Sequence, residues 1–187
     1  MYIDLPKRMT NWLLSVCVIA SFPGATDAAD DPRVLTLGKF KLTAPREWTR
    51  KQPASSIVAY EFSIPASKGD EQDGRMTVMS AGGGVEANVD RWYGQFTQPD
   101  GKPTKDVAKR SRLKLADQDV HIVDISGTYT DMRGPVARGP AREDYRMLGA
   151  IIPTKEADFY VKFYGPRQTV AEHEKAFLRM IESLERR

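Results

Sequence analysis

Three pairs of β-branched or aromatic runs, each pair joined by a short polar stretch, constrain this chain more than any other feature. Residues 57–64 (IVAYEFSI) and 75–81 (RMTVMSA) flank Lys-Gly-Asp-Glu-Gln-Asp-Gly. Lys109–Leu115 and Val120–Tyr129 flank Asp117-Gln118, and Tyr145–Ile152 and Phe159–Tyr164 flank Pro153–Asp158. Runs of this kind, punctuated by turn residues, read as β-hairpins. A shorter alternating run, Phe40–Thr43, stops at Ala44-Pro45 and reads as another strand.

Only two segments switch to a helical period. Val85, Val89, Trp92 and Phe96 fall at i, i+4, i+7 and i+11 and share one apolar face. Near the C-terminus, Thr169-Val170-Ala171-Glu172 has the form of a capping box. Behind it, Val170, Phe177, Ile181 and Leu184 share a face, with Gly165-Pro166 setting the entry. Antiparallel hairpins plus two amphipathic helices predict an α+β domain over residues 31–187, a mainly antiparallel sheet covered by helices. Two stretches without periodicity, Gln98–Val107 and Thr130–Asp144, read as irregular loops, where binding residues concentrate.

Composition narrows the class. The chain has 187 residues, 41% hydrophobic and 28% charged, as in a folded soluble domain. A net charge of +3 is too small to make nucleic acid the expected partner. One Cys and two His exclude an internal disulfide framework and argue against a metal centre. Lys7-Arg8, the apolar run Trp12–Phe22, and small residues up to Ala28 follow the basic–apolar–small order of a secretory signal peptide. Cleavage is expected after Ala28 or Ala29, which makes residues 1–28 a leader and leaves no membrane span in the mature protein. Cys17 follows Val16 in the middle of the apolar run, so it is read as part of the leader and not as a lipoprotein cysteine. The mature chain would then lack Cys, as suits a periplasmic or secreted protein.

Phe40-Lys41-Leu42 followed by Pro45-Arg46-Glu47-Trp48 resembles the opening F-x-L-x-x-P-x-x-W of PsbP-like domains. Phe177 with Met180-Ile181-Glu182-Ser183-Leu184 is similar to their closing helix. That resemblance implies an antiparallel sheet sandwiched by helices, an α/β/α layout. Its members include photosystem II extrinsic proteins, small bacterial secreted proteins and a nuclear protein that binds the Ran GTPase. Residues 82–92, 124–129 and 145–150 also resemble stretches of uncharacterised exported proteins of planctomycete-like bacteria. This second resemblance implies no activity.

No motif names a reaction. Gly82-Gly83-Gly84-Val85-Glu86-Ala87 matches G-x-G-x-x-A, and a glycine turn opening a helix can bind a phosphate. Glu86, however, puts a negative charge in the first turn, and no acidic partner strand follows, so no cofactor is expected. Ser80 or Ser126 with His121 and Asp124 lacks a nucleophile elbow. Asp117, Asp119 and His121 read as a solvated acidic turn, and no metal is expected. Arg110, Arg112 and Lys114 alternate along one strand as a basic face. Arg133, Arg138 and Arg142 punctuate the Thr130–Asp144 stretch, and guanidinium groups there could grip carboxylates or phosphates bidentately. The expected function is therefore an exported non-catalytic binding or accessory domain for an acidic protein or anionic envelope component. The alternatives are a hydrolase using Glu61, Asp124 or Glu143, and a structural part of an envelope assembly.

Overall fold

A computed structural model of the protein describes residues 31–133 and 137–187. The leader therefore lies outside the described residues. Among the described residues, no helix is long and apolar enough to cross a membrane.

The chain opens with β1 (Val34–Leu37) and β2 (Phe40–Thr43), which pair antiparallel around Gly38. Three strands follow, β3 (Thr49–Lys51), β4 (Val58–Ile64) and β5 (Gly74–Ala81). Next come α1 (Gly84–Tyr93), β6 (Phe96–Thr97), the single turn α2 (Thr104–Val107) and β7 (Lys109–Leu115). The long strands β8 (Gln118–Arg133) and β9 (Ala137–Pro153) lead to β10 (Asp158–Pro166). The chain closes with α3 (Arg167–Glu182) and β11 (Glu185–Arg186). The large sheet has the order β3-β4-β5-β10-β9-β8-β6, with β7 also paired to β8, while β1, β2 and β11 form a small sheet. Every pairing among the described residues is antiparallel. The expected α+β sandwich is observed.

Alternation along the strands divides the core into two layers. Phe62, Met76, Val161 and Phe163 project to one side and pack with Phe177 and Ile181 of α3 and with Leu35 and Leu42 of the small sheet. Ile125, Tyr129, Met147 and Tyr164 project to the other side, with Val89 and Trp92 of α1. Trp92 lies so close to Gly149 that a β-carbon there would come within 2.3 Å of its ring. The glycine is what lets the indole seat on the sheet.

The hairpin turns are tighter or longer than the runs indicate. Ala116 and Asp117 alone join β7 to β8, both with positive φ (46° and 63°). Two such residues make the type I′ turn that matches strand twist. The larger correction concerns Thr130–Asp144, which is not an irregular loop. Its flanks extend β8 and β9, pairing Thr130 with Ala141, Met132 with Arg138 and Arg133 with Ala137. Register shifts occur between Gly127 and Tyr129 and between Thr130 and Met132. Gly139-Pro140 falls in the second shift, where a bulge spares Pro140 from donating to the ladder. Bulges also erase the alternation that would have marked these strands.

Two helix boundaries also differ from expectation. Helix α1 ends at Tyr93, and Phe96 reaches the same core layer from β6, opposite Tyr129. Helix α3 begins at Arg167 with Pro166 at its N-cap, so Thr169-Val170-Ala171-Glu172 is not a capping box. The partners come instead from residues 67–70. Thr169 N and Oγ1 donate to Asp70 (2.8 and 2.6 Å), and Ser67 Oγ donates to Glu172 (2.6 Å). A tertiary contact replaces the local one.

Candidate functional site

Strand β7 lies on the sheet edge and presents Arg110, Arg112 and Lys114 on the α1 side, as their alternation predicts. Their environments differ. Arg110 donates to both carboxylate oxygens of Glu86 (2.7 and 2.8 Å), and this contact lowers the Glu86 pKa. Lys114 lies 3.5 Å from Asp119. Arg112 stands opposite His121, and among the described residues no carboxylate lies within 4.0 Å of its guanidinium. Partial burial, then the charges of Arg112 and Arg110, lower the His121 pKa.

The glycine turn and this basic strand meet through Glu86. Gly83 and Gly84 have φ of 103° and 72°, which lets the chain leave β5 and start α1 at once. Asn88 folds back on the turn, its Nδ2 donating to Gly84 O (2.8 Å), Gly82 O (3.2 Å) and Tyr160 Oη (2.7 Å). Beside Gly82 lies an open depression of about 480 Å³ shared with the β9–β10 turn. The turn is thus tied internally, with a carboxylate at the helix entrance.

On the α3 side, Asp124 accepts from Arg146 Nε and Nη2 (2.8 and 2.9 Å), and Glu174 of α3 takes Nη1 (2.8 Å). These bonds raise the Arg146 pKa. Asp124 and Arg146 line a cleft of about 500 Å³ together with Lys109, Gln98 and Arg167. Glu61 is held in the same manner by Arg75 Nε and Nη2 (2.9 and 2.8 Å), which lowers its pKa. Glu143 is exposed on β9.

The third region lies at the base of the β8–β9 hairpin, and sequence reasoning missed its centre. The Lys162 ammonium is enclosed although part of the residue remains accessible. It sits 4.8 Å from the Tyr129 ring centroid and 4.5 Å from that of Tyr164. It donates to Gln95 Oε1 (2.6 Å) and Tyr129 Oη (3.0 Å). Loss of water around the charged form pushes its pKa down to about 7, against the pull of Asp131. Tyr129 in turn donates to Asp131 Oδ1, and burial drives its own pKa up. The visible signal was a lysine between Tyr160 and Tyr164 on one face of an otherwise apolar strand. Next to this cluster is a cavity of about 200 Å³ lined by Gln72, Arg75, Asp131, Arg142, Tyr145 and Tyr164.

Arg142 therefore borders a cavity, as a strand residue. Arg138 is exposed opposite Met132, and the side chain of Arg133 lies outside the described residues. The structure does not bring these arginines to the β7 strand. Arg112 pairs with His121 and Arg142 with Tyr129, eight positions apart, or about 27 Å along β8.

No protein-family model matches the chain, and no curated protein sequence matches it. Among solved structures, it is similar to the cyanobacterial PsbP (CyanoP) of Synechocystis, with a TM-score of 0.50 and 10% identity over 88% of this chain and 99% of that one. A protein of unknown function from Pseudomonas aeruginosa gives a TM-score of 0.47 at 16% identity, covering 82% of this chain and 96% of that one. LpqN of Mycobacterium tuberculosis, described as involved in cell envelope biogenesis, gives 0.43 at 15% identity, covering 78% and 82%. The likeness to CyanoP is one of fold, and the fold is PsbP-like.

Proposed function

We propose that this chain is an exported, non-catalytic accessory domain that holds an acidic protein or anionic envelope component on the edge formed by β7. The observation that carries this reading is the state of the carboxylates. Glu61 and Asp124, the partly buried acids suited to acid–base work, are each gripped bidentately by an arginine. A carboxylate held that way turns both oxygens to a guanidinium rather than to a substrate. On β7, by contrast, Lys109 and Arg112 are exposed, and no carboxylate among the described residues lies within 4.0 Å of either. Export rests on the leader pattern of residues 1–28 and on a mature sequence without Cys.

The test is a pull-down from envelope extract with wild type and a Lys109→Ser/Arg112→Ser variant at low and moderate salt. The wild type should retain an anionic partner that salt releases, and the variant should lose it at lower salt. Identical partners with identical salt response would remove β7 from consideration.

A further inference from the structure

We propose that the cavity at the base of the β8–β9 hairpin is a carboxylate-binding subsite in which Arg142 takes the ligand, while Lys162, acting through Tyr129 and Asp131, sets the charge behind it. This goes beyond the basic edge of β7, which lies at the other end of β8.

The first observation is an underused guanidinium. The side chain of Arg142 is 30% exposed, and its Nη2 lies 4.0 Å from Asp131 Oδ2, too far for a hydrogen bond. Tyr145 is the hydrogen-bonding neighbour it has among the described residues, which leaves most of its five N–H donors open. It lies over the Tyr145 ring, 5.7 Å from the centroid, and both residues line the cavity. A flat, half-desolvated guanidinium with open donors suits the two oxygens of a carboxylate.

The remaining wall selects against larger or more charged groups. Arg75 commits three of its five N–H donors to Glu61 and to Tyr164 Oη (2.7 Å), so it supplies mainly positive potential. Tyr145 Oη donates to Gln72 Oε1 (2.7 Å). Asp131 and Asp73 also face the cavity. A volume of about 200 Å³ with two acids on its lining admits a single carboxylate more readily than a phosphate dianion.

The second observation is the chain of contacts behind Asp131. Lys162 donates to Tyr129 Oη, and Tyr129 donates to Asp131 Oδ1, next to Arg142. While Lys162 is charged, it offsets Asp131 and leaves Arg142 available. When Lys162 is neutral, Asp131 becomes an uncompensated negative charge that holds Arg142 and repels a ligand carboxylate. Arg75 on β5 lowers the Lys162 pKa and Asp131 on β8 raises it. Tyr164 on β10, with Tyr129 and Gln95, completes the enclosure. With the Lys162 pKa at about 7, ligand affinity falls as pH rises through neutrality.

The experiment is isothermal titration of the purified protein with succinate and, separately, with a short Glu-rich peptide, at pH 6 and pH 8. Binding at pH 6 should weaken roughly fivefold at pH 8, the order expected for removing one charge two hydrogen bonds away. Succinate binding assigns the subsite to a free acid. Peptide binding alone assigns it to a protein side chain, and either supports the proposal. Arg142→Gln should abolish succinate binding, and Lys175→Ser, which removes an exposed cation on α3, should leave it unchanged. Lys162→Met should flatten the pH dependence. Tyr129→Phe, which keeps the ring but cuts the link to Asp131, should do the same if the Met variant does not fold. No binding of either probe at pH 6, succinate binding that survives Arg142→Gln, or succinate binding lost with Lys175→Ser would overturn the proposal.

Discussion

On the α3 side of β10, Val161 and Phe163 sit fully buried among Phe62, Met76 and Phe177. On the α1 side of the same strand, Tyr160, Lys162 and Tyr164 are knitted by hydrogen bonds to Asn88, Gln95, Tyr129 and Arg75. One strand thus serves two layers built on different principles. The α3 layer is aliphatic and aromatic packing that excludes water and asks only for volume. The α1 layer spends part of its interior on polar groups that need specific partners. Stability is concentrated on the first side. The proposed response to pH and ligands belongs to the second.

Four measurements would break or sharpen that contrast. Phe177→Ala empties the centre of the α3 layer and should lower unfolding free energy in urea by about 3–5 kcal/mol. A loss below about 1 kcal/mol would mean that this layer does not carry the stability assigned to it. Next in size is the pH response of the α1 layer. The folded pKa of Lys162, about 7, lies below its unfolded value of 10.5. Between these values the unfolded chain holds a proton that the folded chain has released. Stability should therefore rise with pH through this window, by about 2–3 kcal/mol from pH 6 to pH 9 for this group alone. Lys162→Met should remove that slope, whereas Phe177→Ala should lower stability equally at both pH values. A wild-type slope retained in Lys162→Met would place its origin elsewhere.

Gly149→Ala drives a methyl group into the Trp92 ring and should cost about 1–3 kcal/mol through overpacking. Tryptophan emission should report Trp92 moving toward solvent. Unchanged emission and stability would mean that α1 shifts freely over the sheet. The smallest effect belongs to the edge: Arg112→Ser should change stability by less than about 0.5 kcal/mol, measured by thermal unfolding, while altering salt-dependent binding.

The legible parts of the fold are those where one period holds without interruption. Val58–Ile64, Lys109–Leu115 and the Phe177–Ile181 face of α3 are visible because each buries one side against one partner. The strand segments beyond Tyr129 were hidden, since two bulges break their period and Gly139-Pro140 imitates a loop. Strand β11, with two residues, is too short to carry a signal and forms by pairing with β2. At the candidate sites, sequence order placed Arg110, Arg112 and Lys114 on one face correctly. It could not show that Glu86 lies across from Arg110, because that contact spans 24 residues. Lys162 went unnoticed for the opposite reason: a single lysine in a strand reads as solvent-facing until its tertiary neighbours enclose it.

The unequal company kept by β8 along its length has a consequence for local opening. From His121 to Asp124 the strand lies between β7 and β9, and β6 covers Thr128 and Tyr129. Past Thr130, among the described residues, only β9 remains. Amide hydrogens in the first half are thus sheltered by neighbours on both sides and exchange only through large-scale unfolding. Those near Met132 exchange through fraying of a two-stranded arm. A continuous strand then carries two clocks, and the boundary between them falls at Tyr129 and Asp131, where the hairpin arm leaves the sheet and the cavity begins.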